Sequence, residues 1–337
     1  MTTEPSAQLG TLTAHDGFPL RTVVWPAPPG GRRGTVVLLQ GRAEFIEKYG
    51  ETVGDLRARG FAVYALDWRG QGRSGRVLKN PRKGHVVSYK DYLRDFDLFL
   101  ERLVVPEAPR PIVVLAHSMG GHIVLRHRAE HDARTGPYFA EGIALSAPMV
   151  DILMTPAEQA LGAVLTVAAM SVGLRNQYVP VRGTFPPPFD GNPLTRDRAR
   201  YARMETLMRE NPALAIGWPT VGWLAATRRS VAILRSRGYP ERIAAPVLMI
   251  SAEADRVVSN AAQARLAARL PDCRLETIPD SRHEPLMELD EVRAQVFALF
   301  DAFVDEVLQR DPTIPDRGEL NGSHLPLSPS PEGGGGT

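Results

Sequence analysis

The feature that most constrains this 337-residue chain is a single junction. The apolar run Ile112 to Ala116 passes through His117-Ser118-Met119-Gly120-Gly121 directly into a helical pattern. A strand, a tight turn and a helix in succession, with serine at the apex, is the setting of a nucleophile elbow. Such a turn strains the backbone at the serine, and the positions two before and two after it must be small so that strand and helix can approach. Gly120 meets that demand, and Ala116 is the mildest departure from glycine.

The rest of the chain repeats the same rhythm. Leu9 to Ala14 and Leu20 to Trp25 flank an Asp16-Gly17 turn, which predicts an opening antiparallel hairpin. Strand-like runs at Thr35 to Gln40, Phe61 to Asp67, Pro111 to Ala116 and Phe139 to Ser146 alternate with helix-period segments such as Tyr89 to Val104 and Gly120 to His131. That alternation predicts an α/β fold with a mostly parallel sheet covered on both faces. The beat stops at about residue 149, where an apolar run, Ala160 to Leu174, is followed by the cluster Pro186 to Pro188 and by helical segments near Arg196 to Arg209 and Trp218 to Ser230. It resumes with Val247 to Ser251 and Arg274 to Ile278, and a final helix is expected over Val292 to Leu308. The expected division is a first core part over 1–148, an inserted helical cap over 149–240, a second core part over 241–310, and a disordered tail over 311–337, where eleven of 27 residues are Gly or Pro.

Two further groups complete a constellation. Asp255 lies just past the strand Val247 to Ser251, and His283 follows the next strand. Serine is a poor nucleophile until an imidazole accepts its proton, and the imidazole needs a carboxylate to fix its tautomer and stabilise its charged form. Each of the three falls at the carboxyl end of a strand, where a parallel sheet presents its active edge. Taken singly, Asp255 reads equally as a helix cap and His283 as a surface histidine; order and placement together argue for chemistry.

Together, Gln40-Gly41-Arg42, the segment Asp67-Trp68-Arg69-Gly70-Gln71-Gly72-Arg73-Ser74, the elbow, Asp255-x-Val257-Val258 and His283-Glu284 resemble the monoacylglycerol lipase and bacterial lysophospholipase branch of the α/β-hydrolases. The cap segments Asn192-Pro193-Leu194-Thr195 and Gly217-Trp218-Pro219-Thr220 with Trp223-Leu224 also resemble the bacterial lysophospholipases, so the likeness runs from about residue 9 to 308. Gln40 stands where many relatives carry His, Ala116 for Gly, and Ser251 for Gly. The resemblance implies the α/β-hydrolase fold and a serine hydrolase that cleaves the ester of a single-chain lipid, a lysophospholipid or a monoacylglycerol, through an acyl-enzyme without a cofactor. It implies Ser118, Asp255 and His283 as the triad, and the backbone N–H groups of Arg42 and Met119 as the oxyanion hole. Leu165, Trp218 and Trp223 of the cap are the candidate substrate contacts. Rivals are a small-ester carboxylesterase, a proline-type aminopeptidase and a catalytically silent binding protein.

Other motifs compete. Gly70, Gly72 and Gly75 match a dinucleotide fingerprint with Asp91 and Asp95 near the expected offset, yet Arg76 to His85 lacks the helix the fingerprint requires, so these glycines are read as a loop beneath the active-site floor. His127 and His131 have metal-ligand spacing on one helix, but no third ligand is evident and a surface pair is expected; no metal is assigned. Ala160 to Leu174 is too short to span a bilayer and reads either as a buried cap helix or as one that meets acyl chains or the membrane surface. Forty Lys plus Arg against 38 Asp plus Glu, with no basic block, gives no footprint for nucleic acid. With the lone Cys273 and no signal-peptide pattern in Met1 to Gly10, a cytoplasmic protein is expected, with transient contact at the inner membrane face left open.

Overall fold

Eight strands form one sheet in the order β1-β2-β4-β3-β5-β6-β7-β8. A computed structural model describes residues 7–31, 33–131, 140–180 and 185–310 of the chain. The hairpin β1 (Gln8–Thr13) and β2 (Pro19–Trp25) is antiparallel, and β2 also pairs antiparallel with β4 (Ala62–Leu66). All later pairings are parallel: β3 (Thr35–Leu39), β5 (Ile112–His117), β6 (Gly142–Ser146), β7 (Val247–Ala252) and β8 (Cys273–Ile278). The central strands are runs of Val, Ile, Leu and Ala because helices cover both faces. Val37 and Leu39 face a core with Tyr92, Phe96 and Ile123, while Val36 and Leu38 face another with Leu56, Phe297 and Phe300. The covering helices are α1 (Gly50–Ala58), α2 (Tyr89–Phe99), α3 (Met119–Glu130), then α7 (Asn260–Ala267) and α8 (Asp290–Arg310) beyond the insertion.

The described part of 149–240 adds no strand to this sheet. It carries α4 (Pro156–Ser171), α5 (Arg198–Glu210) and α6 (Val221–Leu234). Local chemistry sets their starts. Thr155 and Glu158 form a capping box with Pro156 at the first helical position of α4. The Thr220 side chain accepts from the Trp223 N–H at 3.1 Å, so α6 begins three residues after the expected Trp218, and Asp197 delays α5 to Arg198 by the same means. The insertion is tied to the core on two sides. Tyr201, Met204 and Leu214 pack on Phe45, and the Tyr89 hydroxyl lies 3.1 Å from Thr227 Oγ1. The expected β6 start at Phe139 and the expected tail over 311–337 lie outside the described residues.

Candidate active site

Ser118 sits between β5 and α3 with φ 50° and ψ −113°, a conformation that L-residues rarely adopt. The turn is held by the Ser118 N–H donating to Ser146 O (3.1 Å) and by Ser118 O accepting from the N–H groups of His122 and Met149. Gly120 is required: a Cβ there would lie 2.6 Å from Gln40 O. His122 fixes the next turn, its Nδ1–H donating to Met149 O (2.9 Å) and its Nε2 accepting from the Ser230 hydroxyl (2.7 Å). Burial and the Arg126 charge hold this imidazole neutral, pushing its pKa down to about 3.

The loops after β7 and β8 bring two more groups to the serine. His283 Nε2 lies 3.0 Å from Ser118 Oγ, and His283 Nδ1 donates to Asp255 Oδ2 at 2.7 Å. Asp255 Oδ1 accepts from the N–H groups of Val257 (2.7 Å) and Val258 (3.0 Å). Burial alone would raise the Asp255 carboxyl, but His283 and these two donors hold it below the usual range. All three side chains are buried.

The loop after β3 passes over the serine, and Gln71 holds it from below. Gln71 Oε1 accepts from the Ala43 N–H (2.6 Å) and its Nε2 donates to Gly41 O (3.2 Å), bracketing Arg42. Among the described residues the backbone N–H groups of Arg42 and Met119 donate to no protein acceptor. The glycines around Gln71 wrap a carboxylate. A Cβ at Gly72, where φ is +49°, would fall 2.2 Å from the Asp67 carboxyl carbon, and Asp67 accepts from the N–H groups of Ile46 (3.0 Å) and Arg73 (2.9 Å). No helix follows until Tyr89, and Asp95 is committed to Arg69 at 2.7 and 2.8 Å, so nothing here cradles a dinucleotide.

Sequence reasoning missed a buried cluster behind the serine and histidine. Lys48 Nζ donates to Glu44 Oε1 and Glu284 Oε1, each at 2.6 Å, and Tyr49 donates to Glu44 Oε2 (2.8 Å). The Gly41 N–H also reaches Glu44 Oε2 at 2.5 Å. His117, whose Nδ1–H donates to Ser146 O (2.9 Å), completes the group. Burial opposes ionisation of Glu44, but Lys48, His117 and Tyr49 outweigh it and hold its pKa low. Burial pushes Glu284 the other way, offset only in part by Lys48. The Lys48 ammonium already supplies the cation that two such carboxylates need. The i,i+4 spacing of Glu44 and Lys48 was the available signal; Glu284 is 236 positions away from Lys48.

These groups floor a cavity of about 420 Å³ walled mainly by apolar side chains, among them Met149, Ile152, Phe185, Leu224 and the two expected contacts Trp218 and Trp223. Leu165 is not brought to it. It stands 55% exposed on the outer side of α4, because the helix turns its small residues Gly162 and Ala163 inward.

The His127 and His131 expectation also needs correction. Asp97 of α2 supplies the missing third donor: its Oδ1 accepts from His127 Nε2 (2.6 Å) and lies 3.1 Å from His131 Nε2, with the rings stacked at 4.1 Å. His127 is buried, not on the surface. The pair looked isolated because Asp97 comes from a different helix.

Residues 30–290 match the Hydrolase_4 family, described as serine aminopeptidase, S33. The chain belongs to this family. It is 34% identical over 305 residues to lysophospholipase L2 of Escherichia coli (strain K12), covering 87% of this chain and 86% of that protein. It is 29% identical over 270 residues to a monoacylglycerol lipase of Mycolicibacterium smegmatis, covering 79% of this chain and 86% of that one. Among solved structures, a soluble variant of monoglyceride lipase from Saccharomyces cerevisiae, in complex with a substrate analog, superposes with a TM-score of 0.70 at 18% identity, covering 91% of this chain and 98% of the other. The fold is that of the α/β-hydrolases. Among the described residues, no helix is long and apolar enough to cross a membrane.

Proposed function

We propose that this hydrolase cleaves the carboxylic ester of a single-chain lipid, with Ser118 as nucleophile, His283 as general base and acid, and Asp255 as the group that orients and stabilises the imidazole. One observation carries the reading: the continuous hydrogen-bond line Ser118 Oγ, His283 Nε2, His283 Nδ1, Asp255 Oδ2, opening on an apolar cavity. With Nδ1–H donated to Asp255, Nε2 carries the lone pair that accepts the serine proton as Oγ attacks the ester carbonyl. The oxyanion is met by the undonated N–H groups of Arg42 and Met119. Collapse expels the glycerol-side alcohol, which takes the proton from His283, and leaves an acyl-serine. Water then attacks with His283 again accepting a proton, releasing the fatty acid. The small-ester and lipid readings separate on chain length, since each buried methylene is worth about 0.8 kcal/mol, roughly fourfold in kcat/KM. An aminopeptidase would need an anion to receive the substrate's free amine, and both carboxylates in the cavity, Glu44 and Glu284, are paired with Lys48.

The cap reading over 149–240 rests on Met154, Phe185, Met204 and Trp218, which wall the cavity from the insertion. Its outer side supports transient contact with a membrane surface: Leu161, Val164, Leu165, Val167 and Val172 are between 55 and 69% exposed. The test is fluorophosphonate labelling of wild type, abolished in Ser118→Ala, together with kcat/KM over butyrate to dodecanoate esters kept below their micelle concentrations. A wild-type optimum at butyrate would reject the lipid and keep the triad; failure to label would reject the triad.

A further inference from the structure

Arg42 has a side chain as unusual as its backbone. Its guanidinium enters the catalytic cavity, stacked 5.2 Å from the Trp223 ring centroid and 5.6 Å from that of Phe185. Nη2 donates to Gly217 O at 2.6 Å. Nε is buried without an acceptor, and among the described residues no carboxylate pairs with this cation. The nearest acid in sequence, Glu44, has its oxygens occupied by Lys48, Tyr49 and the Gly41 N–H. A guanidinium has five N–H donors and matches two oxygens of a phosphate at once. The side chain is half-buried and unpaired, and burial pushes its pKa down to about 10, which still leaves it charged at neutral pH. An acyl chain gains nothing by lying against such a group, so the chain belongs at the Met149 and Leu224 side of the cavity.

We propose that Arg42 is the anion-binding subsite for the phosphodiester of a lysophospholipid headgroup, which makes it the residue that selects such lipids over neutral monoacylglycerols. The placement fits the substrate's connectivity. Gly41, next to Arg42, lies against Ser118, to the point that a Cβ on it would sit 3.1 Å from Ser118 Cβ. A scissile ester at Ser118 is separated from its phosphate only by the glycerol carbons, so the phosphate falls beside the residue adjoining the oxyanion loop. A bound phosphodiester monoanion would accept from the Nη1 end of the guanidinium and neutralise its unpaired charge. A monoacylglycerol offers a hydroxyl there and leaves the cation unpaired.

This inference rests on the ester-hydrolase reading, and the experiment separates the two. Lauroyl lysophosphatidylglycerol and 1-lauroylglycerol, which share an acyl chain, are compared as substrates of wild type, Arg42→Met and Arg42→Lys, each below its micelle concentration. The ratio of kcat/KM for the phospholipid to that for the monoacylglycerol is expected to favour the phospholipid in wild type. It should fall about 10- to 100-fold in Arg42→Met, the scale of one charged hydrogen-bonded contact, and lie between in Arg42→Lys, which keeps charge but loses the fork. An equal loss on both lipids, or an unmoved ratio, overturns the subsite while leaving the hydrolase standing; hydrolysis of neither lipid by wild type overturns the ester-hydrolase reading and the subsite with it. Should Arg42→Met not fold, wild type decides: raising NaCl from about 0.05 to about 0.5 M should raise KM for the phospholipid and spare the monoacylglycerol, and equal salt dependence overturns the proposal.

Discussion

Two helices of this protein invert each other. In α3, eleven of twelve residues are buried, including His122, Arg126, His127 and Arg128; in α4, one of sixteen is buried, and the exposed remainder includes Leu161, Val164, Leu165 and Val167. Polar groups go inside where each finds a partner, as Arg126 does on the Tyr239 hydroxyl (2.7 Å) and Ser230 Oγ (2.6 Å). Apolar groups stay outside on α4, where nothing among the described residues covers them. The elbow helix is thus fixed by directional bonds that define one geometry for Ser118, whereas the cap helix keeps a greasy outer side that folding does not use.

If α3 exists to aim one hydroxyl, removing that hydroxyl gives the largest effect. Ser118→Ala should lower kcat by about a million-fold when the triad acts as a unit, read with a lauroyl ester; a variant holding a tenth of wild-type turnover would break the comparison at its root. Asp255→Asn should cost about ten-thousand-fold by holding His283 in the wrong tautomer, with the circular dichroism spectrum unchanged.

The buried polar side of the comparison also predicts acid sensitivity. His122 has a folded pKa near 3 against an ordinary 6.5, so between those values the unfolded chain binds the proton and the folded one does not. Its contribution to stability is complete above pH 6.5 and is lost as pH falls, by at most about 3 kcal/mol at pH 4. His117, lowered to about 4 chiefly by burial, acts in the same window. Urea titrations from pH 7 to 4 should show this slope, and His122→Asn should flatten it; an unchanged slope would remove His122 from the account.

Smaller effects sharpen the contrast. Gln71→Ala should reduce kcat about tenfold with KM little changed, because it frees the loop carrying the Arg42 N–H without touching substrate; a KM effect alone would contradict that role. Smallest in stability is the outer side of α4. Val164→Ser with Val167→Ser should shift unfolding by no more than about 0.5 kcal/mol yet weaken sedimentation with phospholipid vesicles, and a loss of several kcal/mol would show that this side is covered after all.

What could be read from residues alone follows the range of the interactions. The elbow, the hairpin and the placement of Asp255 and His283 past strand ends were legible because they are written in runs of ten to fifteen neighbours. The orientation of α4 was not, since a segment apolar nearly all round gives no preferred side, so nothing in the run itself tells whether Leu165 meets substrate. Lys48 with Glu284, Gln71 with the Arg42 loop, and Asp97 with His127 join segments that only tertiary folding brings together, 236, about 30 and 30 positions apart. The Gly70 to Gly75 pattern shows the converse, a local motif whose meaning depends on the carboxylate it encloses.

The Lys48 bridge has a temporal side. Glu44 and Lys48 leave the ribosome early, whereas Glu284 and the neighbouring His283 are among the last residues of the core to be made. Until that final segment docks, Lys48 lacks its Glu284 partner and Ser118 lacks its hydrogen bond to His283. On the roles proposed above, a nascent chain carries Ser118 without its base until residue 283 has been made.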